Sequence, residues 1–245
     1  MAIYLFTDFS YQGPYVGELK QVIAQSKFDD QTVIDLMHDA PVYNPRASAY
    51  LLAALSERFQ VGDACLGVVD PGVGSESRAP ILLKADGILY CGPDNGLFSQ
   101  IAMRASQIEI NEIVWRPNKL SSSFHGRDLF APALQKALRN EIIKVRPRSL
   151  NELAGSDWPI NLPEVIYIDG FGNLVTGHTA KSIAQEQSVI IAEKQLSYAD
   201  TFSAKQAGEP FWYINSMGLV EIAVNQGRAD EYFQANIGTR LSVAG

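Results

Sequence analysis

The chain has 245 residues, 47% hydrophobic and 19% charged, with a formal net charge of −7. This is the composition of an ordinary globular protein, and at this length folding buries roughly 70–75% of the unfolded surface without help from disulfides or metal. The acidic balance argues against a broad nucleic-acid surface, and no apolar run approaches the ~20 residues needed to cross a bilayer.

Residues 2–6 read as a buried strand that runs into a loop containing Asp8. The start lacks a basic lead and meets Thr7-Asp8 too soon for a signal peptide, so a cytoplasmic protein with no membrane partner is expected. Pro14 opens a helix through about residue 25, and residues 32–36 form the next strand. Asn44-Pro45 resembles a cap with a first-turn proline. Ala47, Tyr50, Leu51, Ala54 and Leu55 then recur on one helical face. Residues 64–69 are a third strand ending in Asp70. Residues 81–85 and 88–91 flank Asp86-Gly87, a hairpin signal. Cys65 and Cys91 lie in these strand-like runs and read as buried thiols.

Residues 96–104 read as a short helix, 109–115 as a strand and 128–138 as a helix with Phe130, Ala133, Leu134 and Ala137 on one face. The alternation predicts an α/β fold, a mostly parallel sheet with helices on both faces. Arg139, Lys144, Arg146 and Arg148 read as a solvated loop. Between residues 146 and 163, Pro147, Pro159 and Pro163 punctuate a polar stretch, taken as the boundary between domains 1–150 and 160–245. Strands at 165–168, 189–192, 211–214, 219–224 and 240–243, with a helix at 180–187, predict a smaller β-rich, barrel-like second domain.

Four stretches place reactive side chains beside glycines: Val69 to Gly74 around Asp70, Gly92 to Gly96, Ser123 to Asp128, and Asp169 to Asn173. Glycine lets the backbone turn sharply and a ligand approach closely, although Asp, Asn, Pro and Gly also make ordinary turns. In an open parallel sheet, ligands bind outside the carboxyl ends of the strands, where Asp8 and Asp70 both fall. A carboxylate there can accept hydrogen bonds from two adjacent hydroxyls, as on ribose, or can simply cap the following turn. The Pro-Gly-Val-Gly that follows Asp70 leaves its carboxylate to a ligand or another side chain. His125 precedes a helix whose dipole favours a neutral, proton-accepting ring; the alternative is a histidine bonded to loop backbone. Arg127 can pair with Asp128 and serve structure alone. His38, beside Asp35 and Asp39, reads as a satisfied loop histidine, since nothing nearby has metal-ligand spacing. Dinucleotide, phosphate-loop and nucleophile-elbow motifs are all absent.

Taken in order, Thr7-Asp8-Phe9, Pro14-Tyr15-Val16-Gly17, the loop around Asp70, Gly92 to Leu97, Phe124 to Pro132, Phe171 to Thr176, Asn215-Ser216 and Glu221 to Asn225 resemble the S-adenosyl-L-methionine hydroxide adenosyltransferase (hydrolase) family, related to fluorinases and chlorinases. The resemblance covers nearly the whole chain. It implies an N-terminal α/β domain, a smaller C-terminal β domain, and a homotrimer with sites between the N-terminal domain of one subunit and the C-terminal domain of the next. It implies S-adenosyl-L-methionine as substrate, no cofactor and no metal, with water attacking ribose C5′ to release adenosine and methionine. By motif position Asp70, Arg78 and His125 are the catalytic set and Asp8 holds the ribose hydroxyls. Asn173 contacts the nucleoside, and Ser216, Glu221 and Val224 make further substrate contacts. A carboxylate paired with arginine is a poor base, so His125 is expected to take the proton while Asp70 and Arg78 orient the water. Halide-using transfer and a non-catalytic nucleoside-binding module are the alternatives. Two departures stand out. Ser77 occupies the place of the family arginine, with Arg78 one residue later. Gly13 replaces the aspartate before Pro-Tyr-Val, which loosens the expected hold on the methionine ammonium; Ser10 also replaces a glycine.

Overall fold

A computed structural model describes residues 1–25, 31–75 and 78–245, so Ser77 lies outside the described residues. The chain divides into two compact units, Met1–Trp158 and Pro159–Gly245.

The first unit is built on a seven-stranded sheet: β1 (Ala2–Thr7), β2 (Thr32–Met37), β3 (Ala64–Val68), β4 (Pro80–Ala85), β5 (Ile88–Pro93), β6 (Ile108–Ile113) and β7 (Val145–Arg148), in spatial order β2-β1-β3-β5-β4-β6-β7. The first four in that order run parallel, and β4, β6 and β7 extend the sheet antiparallel. Period-two alternation divides its side chains between two faces. Ile3, Leu5, Leu66 and Cys91 pack with Leu19 and Ile23 of α1 (Tyr15–Gln25) and Leu134 of α4 (Ala131–Leu138). On the alternate positions Tyr4 stacks on Phe59, and Tyr90 lies between Phe59 and Phe98, rings that flank α2 (Pro45–Ser56) and α3 (Ser99–Arg104). Cys65 pairs in register with Tyr90, and Leu66 with Cys91, so the two buried thiols point to opposite faces. Asn44 caps α2 by accepting the Ala47 N–H at 3.0 Å.

Two sequence expectations change here. The helix expected from 128 to 138 begins with a wider π-helical turn, Gly126–Phe130, closed by the Ala131 N–H on the Gly126 carbonyl. Pro132 has no N–H to continue an ordinary ladder at that point, which favours the wider turn before α4 takes over. The basic stretch expected as a solvated loop contains edge strand β7, paired with β6. Arg146 reaches Glu112 at 2.5 Å, and Arg148 reaches Asp94 at 3.2 Å. Residues up to 158 belong to this unit for a local reason. The Asp94 carboxylate accepts the Ala154 N–H at 2.9 Å, and the Trp158 ring lies so close to Gly96 that a Cβ there would be 2.2 Å away.

The second unit holds β8 (Leu162–Ile168), β9 (Leu174–Thr179), β10 (Ser188–Ile191), β11 (Lys194–Leu196), β12 (Pro210–Ile214), β13 (Leu219–Val224) and β14 (Leu241–Ala244), with one short helix, α5 (Ala229–Phe233). They form antiparallel sheets ordered β12-β13-β9-β8 and β11-β10-β14. Isolated bridges between Glu164 and Arg240 and between Tyr198 and Trp212 join the sheet edges, giving a small barrel. Val165, Leu174, Trp212, Val220, Ile222 and Leu241 fill it. The helix expected over 180–187 is only a 3₁₀ turn, Ala180–Ser182. Gln187 Oε1 accepts the Ala184 N–H at 2.9 Å, a local bond that competes with helix formation. Among the described residues, no helix is long and apolar enough to cross a membrane.

Candidate functional site

Strand β3 delivers Asp70 to the carboxyl edge of the first sheet, where the chain turns through Pro71-Gly72-Val73-Gly74. The Asp70 side chain is 6% exposed, and its Oδ1 receives Arg78 Nη1 at 2.5 Å. Gly72 permits that pairing. A Cβ on Gly72 would stand 2.5 Å from the guanidinium carbon, so any larger residue would displace Arg78. The same oxygen faces the Gly72 N–H at 3.3 Å. Asn95, from the neighbouring glycine-flanked loop, donates to the Val69 carbonyl at 2.8 Å and accepts the Leu97 N–H. That second loop therefore braces the first.

Asp8 follows β1, the neighbouring strand, and accepts the Tyr43 N–H at 3.1 Å. Burial raises its carboxyl above the usual range; the Tyr43 bond pulls the other way and the charge of Asp70 adds to the rise. His125 stands at the entry to the π-helical turn, with its ring edge-on to Phe130. Asp128 does not cap that turn. It accepts the Ser121 N–H at 2.9 Å and takes both Nε and Nη2 of Arg127, which also bonds Glu18. The Arg127 hydrogen bonds hold Asp128 below the usual carboxylate range.

Asp8, Asp70 and His125 line one cavity of about 560 Å³, with Tyr15, Tyr43 and Phe124 among its aromatic walls. Glu18 and Arg127 line it too, contributions that sequence reading assigned to structure or passed over. A helical Glu18 gives no local signal of this, because the pairing with Arg127 spans more than 100 positions. A second cavity of about 350 Å³ shares Asp70, His125 and Phe130 with the first and adds Arg78, Arg116 and Ser122. His38 lies outside both: it is fully buried, with Nδ1 at 2.8 Å from the Thr7 hydroxyl. Gly13 has φ +101°, a backbone that an aspartate would adopt only with strain, and Ser10 occupies a left-handed conformation at φ 56°. No group of three or more potential metal-ligating side chains occurs among the described residues.

The second unit carries its own cavity of about 620 Å³, lined by Asn173, Val224, Tyr213, Phe171, Phe202 and Arg228 among others. Asp169 organises the loop by accepting the N–H groups of Phe171 and Asn173 and the Asn173 side-chain amide. Phe171, 79% exposed, lies within a stretch whose sequence reading used only Asn173. Glu221 and Ser216 do not line this cavity. Glu221 sits behind it, 5% exposed, accepting the Tyr213 hydroxyl and the Asn215 amide, the latter at 2.7 Å. Burial raises its carboxyl, against the pull of those two bonds. Asn215 Oδ1 in turn accepts the Met217 and Leu219 N–H groups and shapes the turn that presents Ser216, an exposed residue. Glu221 thus touches the cavity wall through Tyr213.

The model of the SAM hydroxide adenosyltransferase N-terminal domain matches residues 3–145, and that of the corresponding C-terminal domain matches residues 163–242. The chain is 32% identical to an (R)-S-adenosyl-L-methionine hydrolase of Thermus thermophilus, covering 94% of each chain. It is also 32% identical to one of Salinispora arenicola, covering 97% of this chain and 95% of the other. Among solved structures, an uncharacterized conserved protein of Thermotoga maritima superposes with a TM-score of 0.84 at 26% identity over the full length of both chains. A conserved hypothetical protein of Thermus thermophilus gives 0.78 at 29%, over 99% of each.

Proposed function

The chain belongs to the S-adenosyl-L-methionine hydroxide adenosyltransferase family, and from that membership and the first cavity we propose that it hydrolyses S-adenosyl-L-methionine to adenosine and L-methionine. The carrying observation is that Asp70, braced by Arg78, lines the same cavity as Asp8 and His125. Water attacks ribose C5′ as the carbon–sulfur bond breaks; sulfur keeps the electron pair and leaves as the thioether of methionine. His125 takes the water proton, Asp70 and Arg78 orient the oxygen, and Asp8 accepts the ribose hydroxyls. Sulfonium is already a good leaving group, so alignment is the main task, and near-attack positioning can supply roughly 7–11 kcal/mol. The displacement needs no cofactor.

Asn173 and Val224 contact the nucleoside from the C-terminal unit, and Ser216 and Glu221 complete that side, directly or through Tyr213. The working form is a homotrimer in the cytoplasm, with the N-terminal unit of one subunit and the C-terminal unit of the next forming each site. Membership of the family, matched in both its N-terminal and C-terminal domains, supports this reading. Incubation with S-adenosyl-L-methionine in ¹⁸O-water tests the reaction. Label at the adenosine 5′-oxygen is expected, and an absence of adenosine, or of label at that atom, overturns it.

A further inference from the structure

Among the described residues, the two cavities that meet at Asp70 and His125 carry opposite charge. The larger one presents the carboxylates of Asp8, Glu18 and Asp70 against the single guanidinium of Arg127. Among the described residues, the smaller presents Arg78 and Arg116 against Asp70, with hydroxyls from Ser75 and Ser122. A sulfonium substrate is cationic and is drawn to the first; a water oxygen gaining negative charge as it attacks is favoured in the second. In-line displacement also requires the nucleophile to approach from the side opposite sulfur.

Resting on the hydrolase reading above, we infer that the Arg78–Arg116 cavity is the nucleophile's antechamber, a solvent pocket that feeds water to the Asp70–His125 wall while the nucleoside occupies the other side. Its volume of about 350 Å³ holds several waters at roughly 30 Å³ each. Arg116 is fixed for this position by donating to the Ile113 and Trp115 carbonyls, so its charge is held at the rim without a carboxylate partner in those bonds. The atoms balance simply. One water enters, its oxygen bonds to C5′, and its proton passes to His125 and then to solvent.

Filling the pocket tests the idea. Ser122 is exposed and Leu120 is 38% exposed, so Ser122→Leu and Leu120→Trp add bulk at the rim without disturbing the core. Thermal melting checks that each variant folds. The inference expects kcat with S-adenosyl-L-methionine to fall at least tenfold in Ser122→Leu, with the adenosine Kd changed less than twofold. A kcat unchanged in both folded variants overturns it. So does an adenosine Kd that weakens in step with kcat/KM, because the pocket would then be part of the nucleoside site. Wild-type protein with no turnover would instead defeat the hydrolase reading itself, and this inference with it. Arg116→Gln separates charge from space: kcat falls while KM holds if the cationic rim serves the attacking oxygen.

Discussion

The two units solve the problem of a buried carboxylate differently. In the first, Asp70 is matched by a full positive charge, Arg78, at the end of a parallel strand, in a cavity that His125 also lines. In the second, Glu221 is held by neutral donors, Tyr213 and Asn215, inside an antiparallel barrel beside an aromatic cavity. Bonds to either carboxylate are charge-assisted, but only Asp70 has a full countercharge in its bonds. In the proposed reaction, the first arrangement fixes a polar group where charge moves and the second fixes a shape, so that reading gives chemistry to the N-terminal unit and recognition to the C-terminal one.

The sharpest way to break that division is His125→Ala or Asp70→Ala, each expected to lower kcat by about 10²–10⁴-fold, the usual contribution of a positioned base. Single-turnover assays read it, and a variant with unchanged turnover would remove that residue from the chemistry. Gly72→Ala comes next. Its Cβ would collide with the Arg78 guanidinium, and a misplacement of about 1 Å can cost on the order of 100-fold in rate. Steady-state kinetics should show the loss in kcat.

Asp8→Asn is a smaller and two-sided change. It removes hydrogen bonds to a charged group worth about 1.5–3 kcal/mol, so adenosine should bind roughly 10–100-fold more weakly by calorimetry. The raised carboxyl of Asp8 works against the fold at neutral pH, because the unfolded chain ionises that group more easily. Its destabilisation is relieved as pH falls through the raised value, which lies above the ordinary 3.8, and adenosine affinity is lost over the same window. Asp8→Asn should therefore raise the melting temperature at neutral pH while it weakens binding.

Glu221→Gln places an amide N–H against one of its two donors. Leaving a buried donor unsatisfied costs about 1–3 kcal/mol; the expected signature is lower stability and a severalfold higher KM, with kcat little changed. Ser10→Gly has the smallest effect. It relieves a left-handed serine and should stabilise by about 1 kcal/mol or less in denaturant melts.

Much of the first unit was legible because its strands are apolar and bounded by turn residues. Asp86-Gly87, both at positive φ, make the expected hairpin, and Asn44-Pro45 opens the expected helix. β7 was hidden because Arg146, Pro147 and Arg148 do not look like a strand; its register and its acidic partners on β6 and at Asp94 come from elsewhere in the chain. β9 was hidden by Gly177, which a strand interior normally avoids. There a Cβ would meet Leu162 at 2.6 Å, so close strand approach demands the glycine. In the site, the glycine-flanked stretches pointed to Asp70 and His125, and the end of the first strand pointed to Asp8, because each signal is local. Glu18 and Arg116 gain their places through a distant partner or a cavity, which no local pattern encodes, whereas Tyr213 gains its place across the β12–β13 hairpin.

The opposed burial of Cys65 and Cys91 has a practical consequence. Burial pushes both thiols far upward in pKa, so at neutral pH neither offers a thiolate to an alkylating reagent. A single cysteine introduced at the exposed turn residues Ser122 or Ser123 would then be the thiol such reagents modify in the folded chain. Fluorophores or spin labels could be attached there without first deleting native sulfur.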